Sequence, residues 1–159
     1  MHIISSMNYS ETLLLTMEET IMYSYEHKVH YYETDQMKVV HHSNYIRWFE
    51  ECRLDLMQAC GLGYEQMEEE EIISPVLSVS CQYHAMTKFG ETVEILPKVE
   101  SFNGIRLKIS YTIREKETKQ IRCTGESTHC FLDAAGRPVN LKKKSPRFYE
   151  LYEGMRVQC

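Results

Sequence analysis

Apolar and polar residues change period several times along the chain, and each change marks an element. From Tyr25 to Tyr32, Val29 and Tyr31 alternate with Lys28 and His30, the two-residue period of a half-buried strand. Tyr45, Trp48, Phe49, Cys52, Leu56, Ala59 and Cys60 then recur at three- and four-residue spacings, while Arg47, Glu50, Glu51, Arg53, Asp55 and Gln58 fill the other face. That pattern predicts a helix of about four to five turns, with Ser43 or Asn44 as its N-cap and Gly61 as its stop. Alternation resumes at Leu77, Val79, Cys81 and Tyr83, set against Ser78, Ser80, Gln82 and His84. Phe89-Gly90-Glu91 turns the chain into a strand over 92–102. Asn103-Gly104 then predicts a type I′ hairpin, whose two central residues both need positive φ. In the next strand Ile105, Leu107, Ile109, Tyr111 and Ile113 face one way, with Arg106, Lys108, Ser110, Thr112 and Arg114 facing the other. A polar turn over 115–119 returns the chain through Gln120 to Leu132, Asp133-Ala134-Ala135-Gly136 closes that strand, and Pro146 opens a short final helix through Tyr152.

The order is strand, long helix, then four strands joined mostly by hairpins. With one long helix available to cover one sheet, the economical arrangement is α+β, a five-stranded antiparallel sheet curled around the helix. Residues 1–24 have mixed polarity, several methionines and no clear period. They read as an N-terminal extension to a domain spanning 25–159, with a short helix over Glu11 to Met22, packed on a neighbour, as the alternative.

Composition narrows the function classes. A chain of 159 residues suits one domain with one core. Its net charge of -5 argues against nucleic acid as the main partner, since phosphate binding calls for a basic face. The charge is uneven: residues 1–27 contain no Lys or Arg, Glu65 to Glu71 is acidic, and basic residues gather from Arg137 to Arg147. The basic cluster reads as solvated surface, or as a partner for an anionic ligand. None of the six cysteines falls in a CxxC pair, so they read as small buried hydrophobes in a reducing compartment, without a zinc site. No run approaches the ~18 apolar residues of an integral membrane segment. Leu13-Leu14-Leu15 lacks the positive flank and cleavage site of a signal peptide, and the expected location is the cytoplasm.

The stretch from Tyr31 to Glu50 joins an extended run ending in carboxylates to the start of the helix. A helix N-terminus offers unpaired N–H groups and a positive dipole end, so a carboxylate and amide donors converge there. From spacing alone, Asp35 reads as a turn carboxylate or a cap for a backbone amide, and His41-His42 as a solvated loop. There is no GxSxG elbow, no P-loop and no GxGxxG.

The run Tyr31-Tyr32-Glu33-Thr34-Asp35, continued by Val40-His41-His42 and by Asn44-Tyr45-Ile46-Arg47-Trp48-Phe49-Glu50, resembles the opening motif of the 4-hydroxybenzoyl-CoA thioesterase family. The likeness is moderate at Lys88 to Val93 and at Asp133 to Val139. It implies the hotdog fold, with the sheet wrapped around the central helix. It further implies hydrolysis of a small or medium acyl-CoA, no cofactor or metal, and a homodimer or homotetramer with sites assembled between subunits. Carried over residue by residue, Asp35 matches the catalytic aspartate and Glu33 a supporting acidic position. His42 stands where the backbone N–H polarises the thioester carbonyl, its imidazole adding a hydrogen bond or proton relay. Asn44 and Tyr45 match as cap and core anchor, and Val40, His41 and Ser43 complete the substrate-binding stretch.

The chemistry fits those groups. A thiol has a pKa near ~8.5, so its thiolate leaves with little proton assistance. Hydrolysis then requires a nucleophile, or a base to make one from water, and a donor for the developing oxyanion. The sequence departs from the family in two places. Lys38 replaces a glycine that follows the catalytic aspartate by three residues. Asn103-Gly104-Ile105 replaces a basic cluster that some relatives use for coenzyme A, leaving Arg106 and the run Lys142, Lys143, Lys144 as phosphate-binding candidates. A non-catalytic acyl-CoA-binding or assembly module on the same scaffold is the rival reading, since fold does not fix activity.

Overall fold

The computed structural model describes residues 23–157; the alternative helix over Glu11 to Met22 lies outside them. Five strands, β1 (Tyr25–Lys28), β2 (Val76–Tyr83), β3 (Thr92–Phe102), β4 (Arg106–Glu115) and β5 (Ile121–Cys130), form one antiparallel sheet in the order β1-β3-β4-β5-β2. The helix α1 (Ser43–Ala59) lies against it and buries Tyr45, Trp48, Phe49, Cys52 and Leu56, the apolar stripe that the three- and four-residue spacing defines. The Phe49 ring stacks on Tyr111 of β4 with centroids 4.3 Å apart. Gly125 makes that approach possible, because a Cβ there would stand 2.6 Å from the Phe49 ring and 2.5 Å from the Ser80 carbonyl. In β4, Leu107, Ile109, Tyr111 and Ile113 face the core, as their alternation requires.

Gly61 ends α1 as expected. At φ +73 it lets the Leu62 N–H reach the Met57 carbonyl at 3.1 Å and its own N–H reach Gln58 at 3.0 Å. This is the paired closure of a Schellman turn, with the buried side chains of Met57 and Leu62 beside it. The other end differs from expectation. Neither Ser43 nor Asn44 caps the helix: His42 precedes it in already helical geometry (φ -52, ψ -30) without a side-chain cap. The Ser43 hydroxyl is instead 2.8 Å from His41 Nδ1, and the Asn44 amide donates to the Glu33 carbonyl at 2.8 Å.

Other elements also depart from the periodicity. β1 stops at Lys28 instead of running to Tyr32, because the Glu33 carboxylate accepts the His30 N–H at 2.7 Å and draws Tyr31–Glu33 into a 3-10 turn. Val29 is buried, but Tyr31 is 77% exposed. The β3–β4 loop is not the type I′ turn over Asn103-Gly104, since only Gly104 has positive φ. Asn103 closes the loop through its side chain, which accepts the N–H groups of Ile105 and Arg106. The acidic run holds a short helix, α2 (Tyr64–Glu69), pinned by the single buried side chain of Met67, too few to leave a period. Asn140 caps the short α3 (Leu141–Lys144), and α4 (Pro146–Val157) continues past Tyr152 to bury Met155. Tyr23 packs against the core and donates to Asp55, so the packed chain reaches back at least that far.

β2 and β1 are the sheet's edges. β1 has only four residues; β2 has eight, and Val76, Leu77, Val79 and Tyr83 on it are all exposed.

Candidate active site

The Asp35 loop is a tight hairpin. Thr34 bridges to Val40, the Lys38 N–H donates to the Asp35 carbonyl at 2.9 Å, and the Asp35 N–H donates to Val39 at 2.9 Å. A three-residue loop closed this way ends in a left-handed residue, and Lys38 takes that place with φ +62. The glycine of the family's motif is therefore replaced without changing the loop's backbone class, at the steric cost a Cβ carries there.

Inside the hairpin, Asp35 Oδ1 accepts the Met37 N–H at 2.8 Å. No residue among those described engages Oδ2. The loop is fixed to the helix by Glu33, whose carbonyl takes the His41 N–H at 2.9 Å and the Asn44 amide. The Glu33 carboxylate, 5% exposed, holds His27 at 2.9 Å, the Trp48 indole at 2.8 Å and the His30 N–H. Burial alone would raise its pKa, but these hydrogen bonds outweigh it and hold the carboxyl below its ordinary value.

His42 sits at the helix start with its ring 4.0 Å from that of His41. Its carbonyl accepts the Tyr83 hydroxyl at 3.2 Å, and among the described residues no acceptor takes its N–H. Asp35, Val40, His42 and Tyr45 all line one cleft of about 360 Å³. His41, Ser43 and Asn44 stand behind it: His41 and Ser43 are exposed, and Asn44 is buried as a brace. Tyr45 is buried, with its hydroxyl 3.1 Å from Thr87. Tyr83, His84 and Met86 complete the wall and were missed in the sequence, because Tyr83 lies 41 residues from the His42 carbonyl it touches. Burial raises the pKa of both Tyr45 and Tyr83, keeping these phenols neutral donors.

Arg106 and the lysine run lie elsewhere. Cys123 of β5 pairs with Tyr83 and Ile113 at the cleft end of the sheet, whereas Cys130 pairs with Arg106 at the other. The Leu141 N–H donates to the Gly104 carbonyl at 2.8 Å, which brings Lys142, Lys143 and Lys144 to the Arg106 end. At ~3.3 Å per residue the stretch of β4 from Arg106 to Ile113 separates the two ends by about 23 Å within one chain.

The cleft is thus lined by a residue with an unengaged carboxylate oxygen, Asp35, and one with an unengaged amide N–H, His42, together with apolar, tyrosine and histidine side chains. A family model described as the thioesterase-like superfamily matches residues 29–151. The chain belongs to that superfamily. Among its thioesterase-like relatives is YneP of Bacillus subtilis (strain 168), which carries a provisional acyl-CoA thioesterase name. YneP is 31% identical over 80% of this chain and 93% of its own length. The DHNA-CoA thioesterase of Staphylococcus aureus superposes with a TM-score of 0.78 at 32% identity, covering 85% of this chain and 89% of the other. A hypothetical protein from Aquifex aeolicus superposes at 0.75 with 26% identity, covering 82% and 98%. The five-stranded antiparallel sheet around α1 is the hotdog fold of this superfamily. Among the described residues no helix is long and apolar enough to cross a membrane, and no disulfide joins Cys52, Cys60, Cys81, Cys123 or Cys130.

Proposed function

We propose that the cleft hydrolyses acyl-CoA thioesters of small or medium acyl groups. Asp35 Oδ2 attacks the thioester carbonyl or takes a proton from an attacking water, and the His42 N–H stabilises the oxyanion. The observation that carries this reading is that Asp35 and His42 line one cleft while Asp35 Oδ2 and the His42 N–H have no partner among the described residues, and Asp35 Oδ1 and the Glu33 braces hold the loop still. Such a preorganised donor needs no rearrangement as charge develops. The names of the relatives favour coenzyme A as the leaving thiol, and the Tyr31 to Glu50 motif favours placement beside the 4-hydroxybenzoyl-CoA branch. Turnover of benzoyl-, hexanoyl- and acetyl-CoA, followed by free thiol, tests the reading. Release of thiol abolished by Asp35→Asn supports it; no turnover of any of the three in the wild type rejects it.

The active form is a homo-oligomer, a dimer at least, in a reducing cytoplasmic setting. The eight-residue outer edge of β2 leaves backbone groups unpaired among the described residues, and its apolar side chains are exposed, a combination that invites pairing with a second copy. Antiparallel pairing of like edges would set the Val76 end of one β2 beside the Tyr83 end of the other. Arg106 and Lys142–Lys144 of one copy then approach the cleft of the other, where they serve the coenzyme A phosphates.

A further inference from the structure

A second cavity, of about 310 Å³, lies between α1, α2, α4 and the sheet and shares no lining residue with the Asp35 cleft. Its volume falls at the lower end of the roughly 300–1,000 Å³ of small-molecule sites, enough for one compact ring system or a short chain. Leu54, Met57, Met67, Leu107 and Ile109 make its walls apolar. Arg53 and His129 interrupt them.

These two residues end one hydrogen-bond chain. Arg53 Nη1 donates to the Tyr111 hydroxyl at 3.2 Å, Tyr111 lies 2.9 Å from Ser127 Oγ, and Ser127 Oγ lies 2.7 Å from His129 Nε2. Arginine can only donate. Tyr111 therefore accepts from Arg53; the other two links fit either direction, and with Tyr111 donating to Ser127 and Ser127 to His129 Nε2 the imidazole proton lies on Nδ1. Burial, with the Arg53 charge beside it, lowers the His129 pKa to about 4, so the ring is neutral. His129 is 3% exposed, and no residue among those described engages Nδ1. Arg53 forms no ion pair among the described residues; Glu50, which also lines the cavity, is exposed and unpaired with it. Beside Ser74, Tyr64, Tyr152 and the exposed Glu50, the cavity's lining thus carries a guanidinium and, in that direction of the chain, an imidazole N–H, two donors set among apolar side chains.

We propose that this cavity is a binding site for a compact apolar carboxylate, whose carboxylate oxygens accept hydrogen bonds from Arg53 and His129 Nδ1. A neutral amide of the same shape replaces one acceptor oxygen with donors that face donors, and loses the ion pair as well. The free acid released from a small acyl thioester is of this class, yet the site stands on residues the hydrolytic cleft does not use.

Isothermal titration of the full chain with 2-naphthoate, and with 2-naphthamide as the neutral counterpart, tests this. Naphthoate binds to the wild type and the amide binds about tenfold or more weakly, as expected for hydrogen bonds to charged groups. Arg53→Gln and His129→Phe each weaken naphthoate, Arg53→Lys recovers part of the affinity, and Asp35→Asn leaves it unchanged. The comparison of the two ligands on the wild type needs no variant to fold. Absent naphthoate binding, equal affinity for the amide, or loss of binding in Asp35→Asn overturns the site. Acyl-CoA turnover, measured separately, reports on the hydrolytic reading alone.

Discussion

The carboxylate of Glu33 accepts the indole N–H of Trp48 at 2.8 Å, so the residue two positions before Asp35 is tied to the second turn of the helix that begins just after His42. The same carboxylate holds His27 on the first strand. The loop that carries the reactive carboxylate and the helix that carries the amide donor are thereby registered to each other through one buried side chain.

Glu33→Ala leaves the His27 and Trp48 nitrogens buried without their acceptor and should cost about 3 kcal/mol, at roughly 1–3 kcal/mol for each group left unpaired. Urea unfolding reads the loss. Because the folded carboxyl titrates below its ordinary value, its contribution is fully present above about pH 4.3 and fades as pH falls through the lower folded pKa. Glu33→Gln should accordingly flatten the acid limb of the stability profile. An acid limb identical to that of the wild type would assign the acid sensitivity to other carboxylates.

Lys38 occupies the left-handed region, where a Cβ costs roughly 1–2 kcal/mol. Lys38→Gly should therefore raise stability by up to about 1 kcal/mol, part of the gain being offset by glycine's greater freedom in the unfolded chain. Lys38→Val should lower it. Unfolding midpoints that rank Val above Gly would mean that the hairpin is not strained at this position.

The oxyanion donor can be removed without touching the imidazole's neighbours. His42 has φ -52, within proline's range, so His42→Pro deletes the N–H, while His42→Ala deletes only the ring. Loss of one oxyanion donor costs about 10²–10³ in kcat. The proline variant should show a fall of that size and the alanine variant a much smaller one, with thermal melts confirming that both fold. Equal losses would move the role from the backbone to the side chain.

Leu77→Lys with Val79→Lys places like charges on the exposed edge of β2. Light scattering should show a monomer, with turnover lost as the composite site comes apart. A variant that keeps the wild-type mass would show that assembly uses another surface.

Neutralising Lys142, Lys143 and Lys144 to Gln should raise KM for acyl-CoA several-fold and flatten its salt dependence, because exposed charges act within about 8 Å at physiological salt. Saturated turnover should hold, since uniform binding acts on KM. An unchanged KM at low ionic strength would make the run a solvated end of α3.

The sequence by itself determined the elements whose burial is local. Tyr45, Trp48, Phe49, Cys52 and Leu56 mark one face of α1 because a helix repeats its inner face every three to four residues, and Gly61 marks its end because few other residues take that φ. It also placed Asp35 and His42 on either side of a single turn, a separation too short for the fold to undo. Tertiary structure decided the rest. Glu33 reads only as a supporting acidic position until His27 and Trp48 close around its carboxylate and Asn44 takes its carbonyl, and the alternation of β2 gives no hint that the strand is an exposed edge. Tyr83 and Met86 enter the cleft, and Arg53 and His129 share a cavity, only through strand pairing between distant segments. Periodicity records which face of an element is buried; it carries no information about which distant element does the burying.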